Sequence, residues 1–194
     1  MPERVLNATA ASLLGFLHDG PKTGWDLAAT AQRVIGDFWS LTQSQIYREL
    51  AVMAAAGLIE AGERGPRDRQ PYALTPAGRA AFAAWIVREP GDETIRFPLL
   101  LTLAFGRFLP PDRLAAVVAT HRATHAARLA GYEEIDAAAR EAGAADHDPY
   151  ALATLSFGIH YERAVLAWFD ELPGAIRGPH AGQDQDRAGS SSGA

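Results

Sequence analysis

With 194 residues, 48% hydrophobic and 21% charged, the chain is long enough to bury a core as one large domain or two small ones. It has no cysteine, which excludes a disulfide framework, a thiolate metal site and a cysteine nucleophile, and fits a reducing cytoplasm. The net charge of −5 is unevenly spread: residues 1–90 set nine Lys and Arg against nine Asp and Glu, and residues 91–194 set nine against fourteen, so the acid sits in the second half.

In chain order, Asn7 caps a predicted helix whose Ala10, Leu13, Leu14 and Leu17 keep the i, i+3, i+4, i+7 spacing until Gly20-Pro21 stops it. Thr23, with Asp26 three residues on, opens a second helix with a buried stripe of Leu27, Ala28, Ala31, Val34 and Ile35, ending at Gly36. Trp25, Phe38 and Trp39 read as core or interface anchors, because large aromatics near a helix start usually pack. Thr42 and Gln45 form a capping-box pattern that starts a third helix. Ile46, Leu50, Met53 and Ala54 share one face of it; Ser44, Arg48, Ala51 and Ala55 share the other, flanked by Gln45 and Tyr47. The second face is lean, with its hydrogen-bonding groups in the first two turns, which suits a helix that enters a major groove by its N-terminal end.

The run from Leu58 to Arg64, a Gly65-Pro66-Arg67-Asp68 tip and a return from Arg69 to Leu74 predict a two-stranded hairpin. Arg64, Arg67 and Arg69 crowd its tip beside the third helix, the arrangement of a wing; the plainer reading is a loop kept soluble by arginines that Glu63 and Asp68 partly neutralise. Thr75-Pro76 starts a fourth helix carrying Ala80, Phe82, Ile86 and Val87 as its apolar positions. The pattern stops at Pro90–Glu93, the predicted domain boundary.

Beyond it, Phe97 to Leu109 is apolar around nearly its whole circumference, so it needs burial on several sides, more than one copy of the chain supplies; it is too short to span a membrane and contains Arg107. Pro110-Pro111-Asp112 leads into a helix from Arg113 to about Glu141, long enough for a coiled-coil arm, with Leu114, Val117, Val118, His121, His125, Leu129 and Tyr132 on a stripe. After a loop at Ala142 to Asp148, Pro149 starts a last helix through Leu172. Gly178 to Ala194 is Gly/Ser/Asp/Gln-rich and reads as a disordered tail. The expected architecture is mainly α: a winged helix-turn-helix with a two-stranded β-wing over residues 1–90, a helical dimerisation and effector domain over 91–177, and the tail at 178–194. The absence of a secretory pattern at the N-terminus predicts a cytoplasmic protein with no membrane partner.

Enzyme chemistry has no support. No nucleophile elbow, phosphate-binding loop or dinucleotide fingerprint occurs, and no cofactor is expected. His121 and His125 are four apart, but Arg122, Ala123 and Thr124 between them make no zinc motif; this face reads as solvated or interfacial and no metal is assigned. Glu133, Glu134 and Asp136 read as a solvated carboxylate cluster.

Certain residues carry a closer likeness. Leu14-Gly15-Phe16-Leu17, Gly20 to Leu27, Phe38 to Thr42, Ile46-Tyr47-Arg48-Glu49-Leu50, Gly57-Leu58-Ile59, Tyr72 to Gly78 and, in the second half, Leu155 to Trp168 resemble the longer members of the PadR family of bacterial transcriptional regulators. The resemblance implies a homodimer that binds a palindromic double-stranded DNA operator, represses nearby genes and is released by phenolic acids, drugs or other small aromatic compounds. It implies a backbone-phosphate contact for Tyr47, groove-facing roles for Thr42, Gln43, Ser44, Gln45 and Arg48, and a basic wing at Arg64, Arg67 and Arg69. Gln70-Pro71 departs from the basic residues the family often carries there. Aromatic density makes Trp39, Trp85, Phe97, Phe105 and Phe108 candidate ligand linings, with plain dimer core as the alternative, and Leu100, Leu101, Leu155, Ile159, Leu166 and Trp168 candidate dimer contacts. The charge-neutral first half keeps a rival open, a scaffold that sequesters a toxic small molecule with DNA binding weak or lost.

Overall fold

Each helix of the first half begins where a side chain satisfies the backbone N–H groups left without a partner. Asn7 Oδ1 accepts from Ala10 N at 2.8 Å and starts α1, Ala8–Phe16. Thr23 and Asp26 close a capping box on α2, Gly24–Val34, and Thr42 and Gln45 close another on α3, Gln43–Ala55. Thr75 caps α4, Pro76–Ile86: its hydroxyl accepts from Gly78 N at 3.0 Å. The computed structural model describes residues 6–36, 38–66, 69–92, 96–142 and 148–177; the predicted tail at 178–194 and the wing residue Arg67 lie outside the described residues.

The α3 terminus turns the chain into the wing. Gly57 sits at φ +70°, Leu58 N donates to Met53 O at 2.9 Å and Gly57 N to Ala54 O at 3.0 Å, the paired bonds of a left-handed C-terminal cap. The chain then enters β2, Ile59–Ala61, which pairs antiparallel with β3, Pro71–Leu74, in the register Ile59↔Leu74 and Ala61↔Tyr72. The expected two-stranded wing gains a third strand: β1, Lys22–Thr23, pairs with the other side of β3 at Tyr72 and Pro71, giving the order β1-β3-β2. Pro71 fits a central strand because it is the first residue of that strand.

Leu13 and Leu14 of α1, Leu17 at its C-cap, Leu27 of α2, Ile46, Leu50 and Met53 of α3 and Ile59 of β2 form one buried core, with Phe82 and Leu74 against it. Trp25, Phe38 and Trp39, expected as core or interface anchors, lie outside this core. Trp25 is 54% exposed, and Phe38 and Trp39 are exposed too, because the caps and not the aromatics fix these helix starts. Ile86 and Val87 are exposed as well, since α4 ends at Ile86 and Val87 is already its C-cap.

The chain divides into two compact units, Met1–Glu93 and Thr94–Ala194. In the second, α5 spans only Pro98–Ala104 and a single 3-10 turn, Gly106–Phe108, follows it, so the predicted apolar segment is broken at Phe105. Leu99 is buried, but Leu101 is 66% and Phe108 72% exposed, and Leu100, Phe105 and Leu109 are exposed. Next come α6, Pro111–Ala142, α7, Pro149–Glu171, and the short α8, Gly174–Arg177. α6 and α7 run antiparallel: Arg122 meets Asp170 at 2.9 Å, Tyr132 lies over Gly158, and Glu133 meets Arg163 at 2.6 Å.

Of the two readings open for His125, a solvated or an interfacial face, it takes the second, at the contact of α6 with α7. It is buried, its Nδ1 bonded to the buried Glu162 carboxylate of α7, with the Phe97 ring edge-on at 5.6 Å and Phe169 at 5.8 Å. A long amphipathic helix buries whichever polar residue meets a partner on its neighbour, and Glu162 is that partner. Glu133 and Asp136, expected to be merely solvated, are paired, the second with Arg140 at 2.6 Å. Leu99, Leu114, Val118, Phe169 and Leu172 make the core of this unit. Among the described residues, no helix is long and apolar enough to cross a membrane.

Candidate nucleic-acid interface

Burial of Ile46, Leu50 and Met53 fixes the rotation of α3 and presents Gln43, Ser44, Tyr47 and Arg48 outward. Two of the predicted groove residues carry a structural duty as well. Thr42 Oγ1 accepts from Gln45 N at 3.2 Å, and Gln45 Oε1 accepts from Thr42 N at 2.9 Å, so Gln45 offers its amide nitrogen, not its oxygen, to an outside group. Thr42 and Ser44 hydroxyls lie 3.1 Å apart. The tip of α3 is thus pre-ordered, and its exposed polar side chains stand on a rigid element.

Beside it lies a second feature. A cavity of about 340 Å³ is lined by Thr23, Gly24 and Trp25 at the start of α2, Tyr47 of α3, and Arg64, Arg69, Gln70 and Tyr72 of the hairpin. The Tyr47 ring lies against Gly24, where a Cβ would fall 2.5 Å from its Cε1, so the ring reaches across the start of α2 only because that residue is glycine. The Arg69 guanidinium sits 5.5 Å over the Trp25 ring. Gln70 Nε2 donates to Gly62 O at 3.1 Å and Gly62 N donates to Pro71 O at 2.8 Å, holding the hairpin in place. The N-terminus of α2 opens on the same notch, its partial positive charge offset in part by the first-turn Asp26 carboxylate, which Arg69 and Lys22 face. An anion the size of a phosphate is what two arginines, a phenol and a helix N-terminus together suit.

Of the predicted residues, the structure gathers Tyr47, Arg64 and Arg69 into this notch and keeps Arg48, Gln43 and Ser44 on the exposed face of α3 next to it. Sequence reasoning missed Gly24, Trp25, Gln70 and Tyr72. A signal existed in the Thr23–Asp26 cap, which announces a helix N-terminus, but the strand that brings it to the hairpin is two residues long and has no period to detect.

The aromatic candidates lie elsewhere. Trp39 and Trp85 line neither this notch nor a further groove formed by α1, α3 and α4. Phe97 packs on the second core, 6.0 Å from Trp168, whereas Phe105 and Phe108 face outward. Among the dimer candidates, Ile159 is buried within its own chain, Leu155, Leu166 and Trp168 are half-buried, Trp168 packing on the second core, and Leu100 and Leu101 are exposed.

Three helices, a pre-capped outward-facing third helix and a hairpin hinged to the start of the second define a winged helix-turn-helix. Residues 13–84 match the PadR-like transcriptional regulator family, and residues 95–177 match the C-terminal domain described as virulence activator alpha. A probable transcriptional regulator of Mycobacterium tuberculosis is 30% identical over 186 residues, covering 86% of this chain and 96% of that protein. The negative transcriptional regulator PadR of Bacillus subtilis is 24% identical over 169 residues, covering 83% and 93%. The Bacillus protein solved with operator DNA superposes with a TM-score of 0.68 at 21% identity over 84% of this chain and 96% of that one; solved with p-coumaric acid, it gives 0.62 at 22% over 84% and 95%. The chain belongs to the PadR-like family and is a transcriptional regulator, not an enzyme.

Proposed function

We propose that the chain is a DNA-binding repressor, acting as a cytoplasmic homodimer on a palindromic operator and released by a small aromatic or drug-like ligand. The observation that carries this reading is the adjacency of the exposed α3 face to the notch where Tyr47, Arg64, Arg69 and the α2 N-terminus converge. A backbone phosphate seated in that notch sets the register, while Gln43, Ser44 and Arg48 reach base edges in the major groove. Residues 1–90 then serve as the reading domain and 91–177 as the dimerisation and effector domain. The relatives support the reading: the Bacillus PadR has been solved with operator DNA and with p-coumaric acid. A ligand acts here by preferring one arrangement of the two reading domains over another, which requires only differential affinity.

The test is a binding titration of the full chain on the DNA upstream of its own gene, at several salt concentrations. The expected result is a salt-sensitive complex weakened by about 1–3 kcal/mol in Arg48→Ala, with sequence preference relaxed. Arg69→Ala should weaken operator and unrelated DNA alike, because a phosphate contact carries no sequence information. No salt-sensitive complex with or without ligand would instead support a sequestering protein, which the even charge of residues 1–90 motivates.

A further inference from the structure

A second cavity of the first unit has no part in the reading above. It measures about 550 Å³, lies between α1, α3 and α4, and is lined chiefly by small apolar side chains, among them Ala81 and Ala84, with Met53 at its wall. That volume falls in the range of small-molecule pockets. Glu49 lines it from α3, on the side of the helix away from Arg48, and is only 6% exposed. Asn7 Nδ2 donates to Glu49 Oε1 at 3.2 Å, and among the described residues nothing else bonds or pairs with this carboxylate. A carboxylate can accept about four hydrogen bonds, so Glu49 keeps acceptor positions for a donor placed beside it, on a helix face that otherwise presents Ile46, Leu50 and Met53.

We propose that this cavity is a binding site for a lipophilic amine: the apolar body lies over the alanines and the ammonium donates to Glu49. The charge complementarity selects the head group, because a carboxylate offers acceptors only and rejects an anion. Arg88 also lines the cavity but is exposed to water, so its opposite charge is screened relative to the buried carboxylate. The alanines matter as much as the charge. Six of the lining positions, residues 10, 56, 77, 80, 81 and 84, are alanine, and four of them, 56, 77, 80 and 84, are exposed, so the site is a groove open to solvent whose floor is kept low by short side chains. The site does not depend on whether the notch binds phosphate, and its test reads binding to the protein alone.

The full chain is titrated calorimetrically with naphthylethylamine, naphthylethanol and naphthylacetate, which share a body and differ in head group. The amine binds once per chain and the other two bind much more weakly. Glu49→Gln, which keeps the side-chain shape, weakens the amine about tenfold, the loss expected when a charge-assisted hydrogen bond becomes a neutral one. Ala84→Leu fills the space and abolishes binding while the thermal midpoint is unchanged or higher. Should Glu49→Gln fail to fold, Ala84→Leu and the head-group series decide. Equal binding of all three compounds, unchanged amine affinity in Glu49→Gln or Ala84→Leu, or no heat with the amine up to millimolar concentration would overturn the proposal.

Discussion

Gly78 and Gly57 show how much of the turn from α3 into β2 rests on single atoms. A Cβ on Gly78 would collide with the Leu58 carbonyl oxygen, which is already the acceptor for Thr75 N at 3.2 Å and Thr75 Oγ1 at 2.9 Å. Because the obstacle is backbone fixed by two hydrogen bonds, it has nowhere to move. Gly78→Ala should therefore destabilise the chain by several kcal/mol, about the scale of overpacking with loss of a cap combined, whereas Gly91→Ala, with open space around it, leaves the thermal midpoint where it was. Gly57→Ala is the intermediate case: the space is open but φ is +70°, so the cost is conformational and about 1 kcal/mol. Ranking the three variants by chemical denaturation checks all of these statements at once. Glu162 adds a fourth. It is buried against His125, and its replacement by Ala leaves that ring nitrogen without its partner and should cost about 1–3 kcal/mol.

At the level of elements, the helix starts carry both the stability and the legibility of the fold. Asp26 is held below its ordinary value of 3.8, first by the Thr23 hydroxyl donating at 2.7 Å, then by the Thr23 backbone N–H at 3.1 Å, with Arg69 and Lys22 adding favourable charge against the cost of partial burial. A carboxyl depressed in the folded state contributes stability that is complete above its unfolded pKa and disappears as pH falls through the folded one. The thermal midpoint should thus drop on acidification below about pH 4, and Asp26→Asn should flatten that part of the profile while lowering the midpoint at neutral pH. If the two profiles remain parallel, Asp26 is not the group responsible. These caps were readable in sequence because their chemistry is local: Thr23 with Asp26, Thr42 with Gln45 and Asn7 with Ala10 lie within one turn. The α3 face was readable for the same reason, through Ile46, Leu50 and Met53. What escaped was set at a distance. β1 becomes a strand only because β3 arrives beside it, His125 is buried only because Glu162 stands 37 residues away, and the notch assembles residues 24, 47, 69 and 72 from four elements.

At the scale of the molecule, the unit that begins at Thr94 leaves a run of apolar side chains uncovered: Leu100, Leu101, Phe105, Phe108 and Leu109 are all exposed. Apolar surface this concentrated is rarely left to water and marks an interface. A second copy is the occupant the proposed repressor requires, since a first half without surplus positive charge gains little from counterion release and one reading helix covers only a half-site. Linking two half-site contacts makes the second intramolecular, raising affinity by about 10²–10⁴-fold. Leu101→Glu with Phe108→Glu should accordingly give a monomer by sedimentation, with helicity intact, because both side chains lie outside the core of their unit. The same variant should lose about that factor in operator affinity, and the slope of log affinity against log salt should fall to about half, as the number of phosphates engaged is halved. A variant that stays dimeric would move the interface to another face, of which the exposed, stacked Phe157 and Tyr161 on α7 are the alternative. A monomer with undiminished affinity and slope would break the link between self-association and DNA reading altogether.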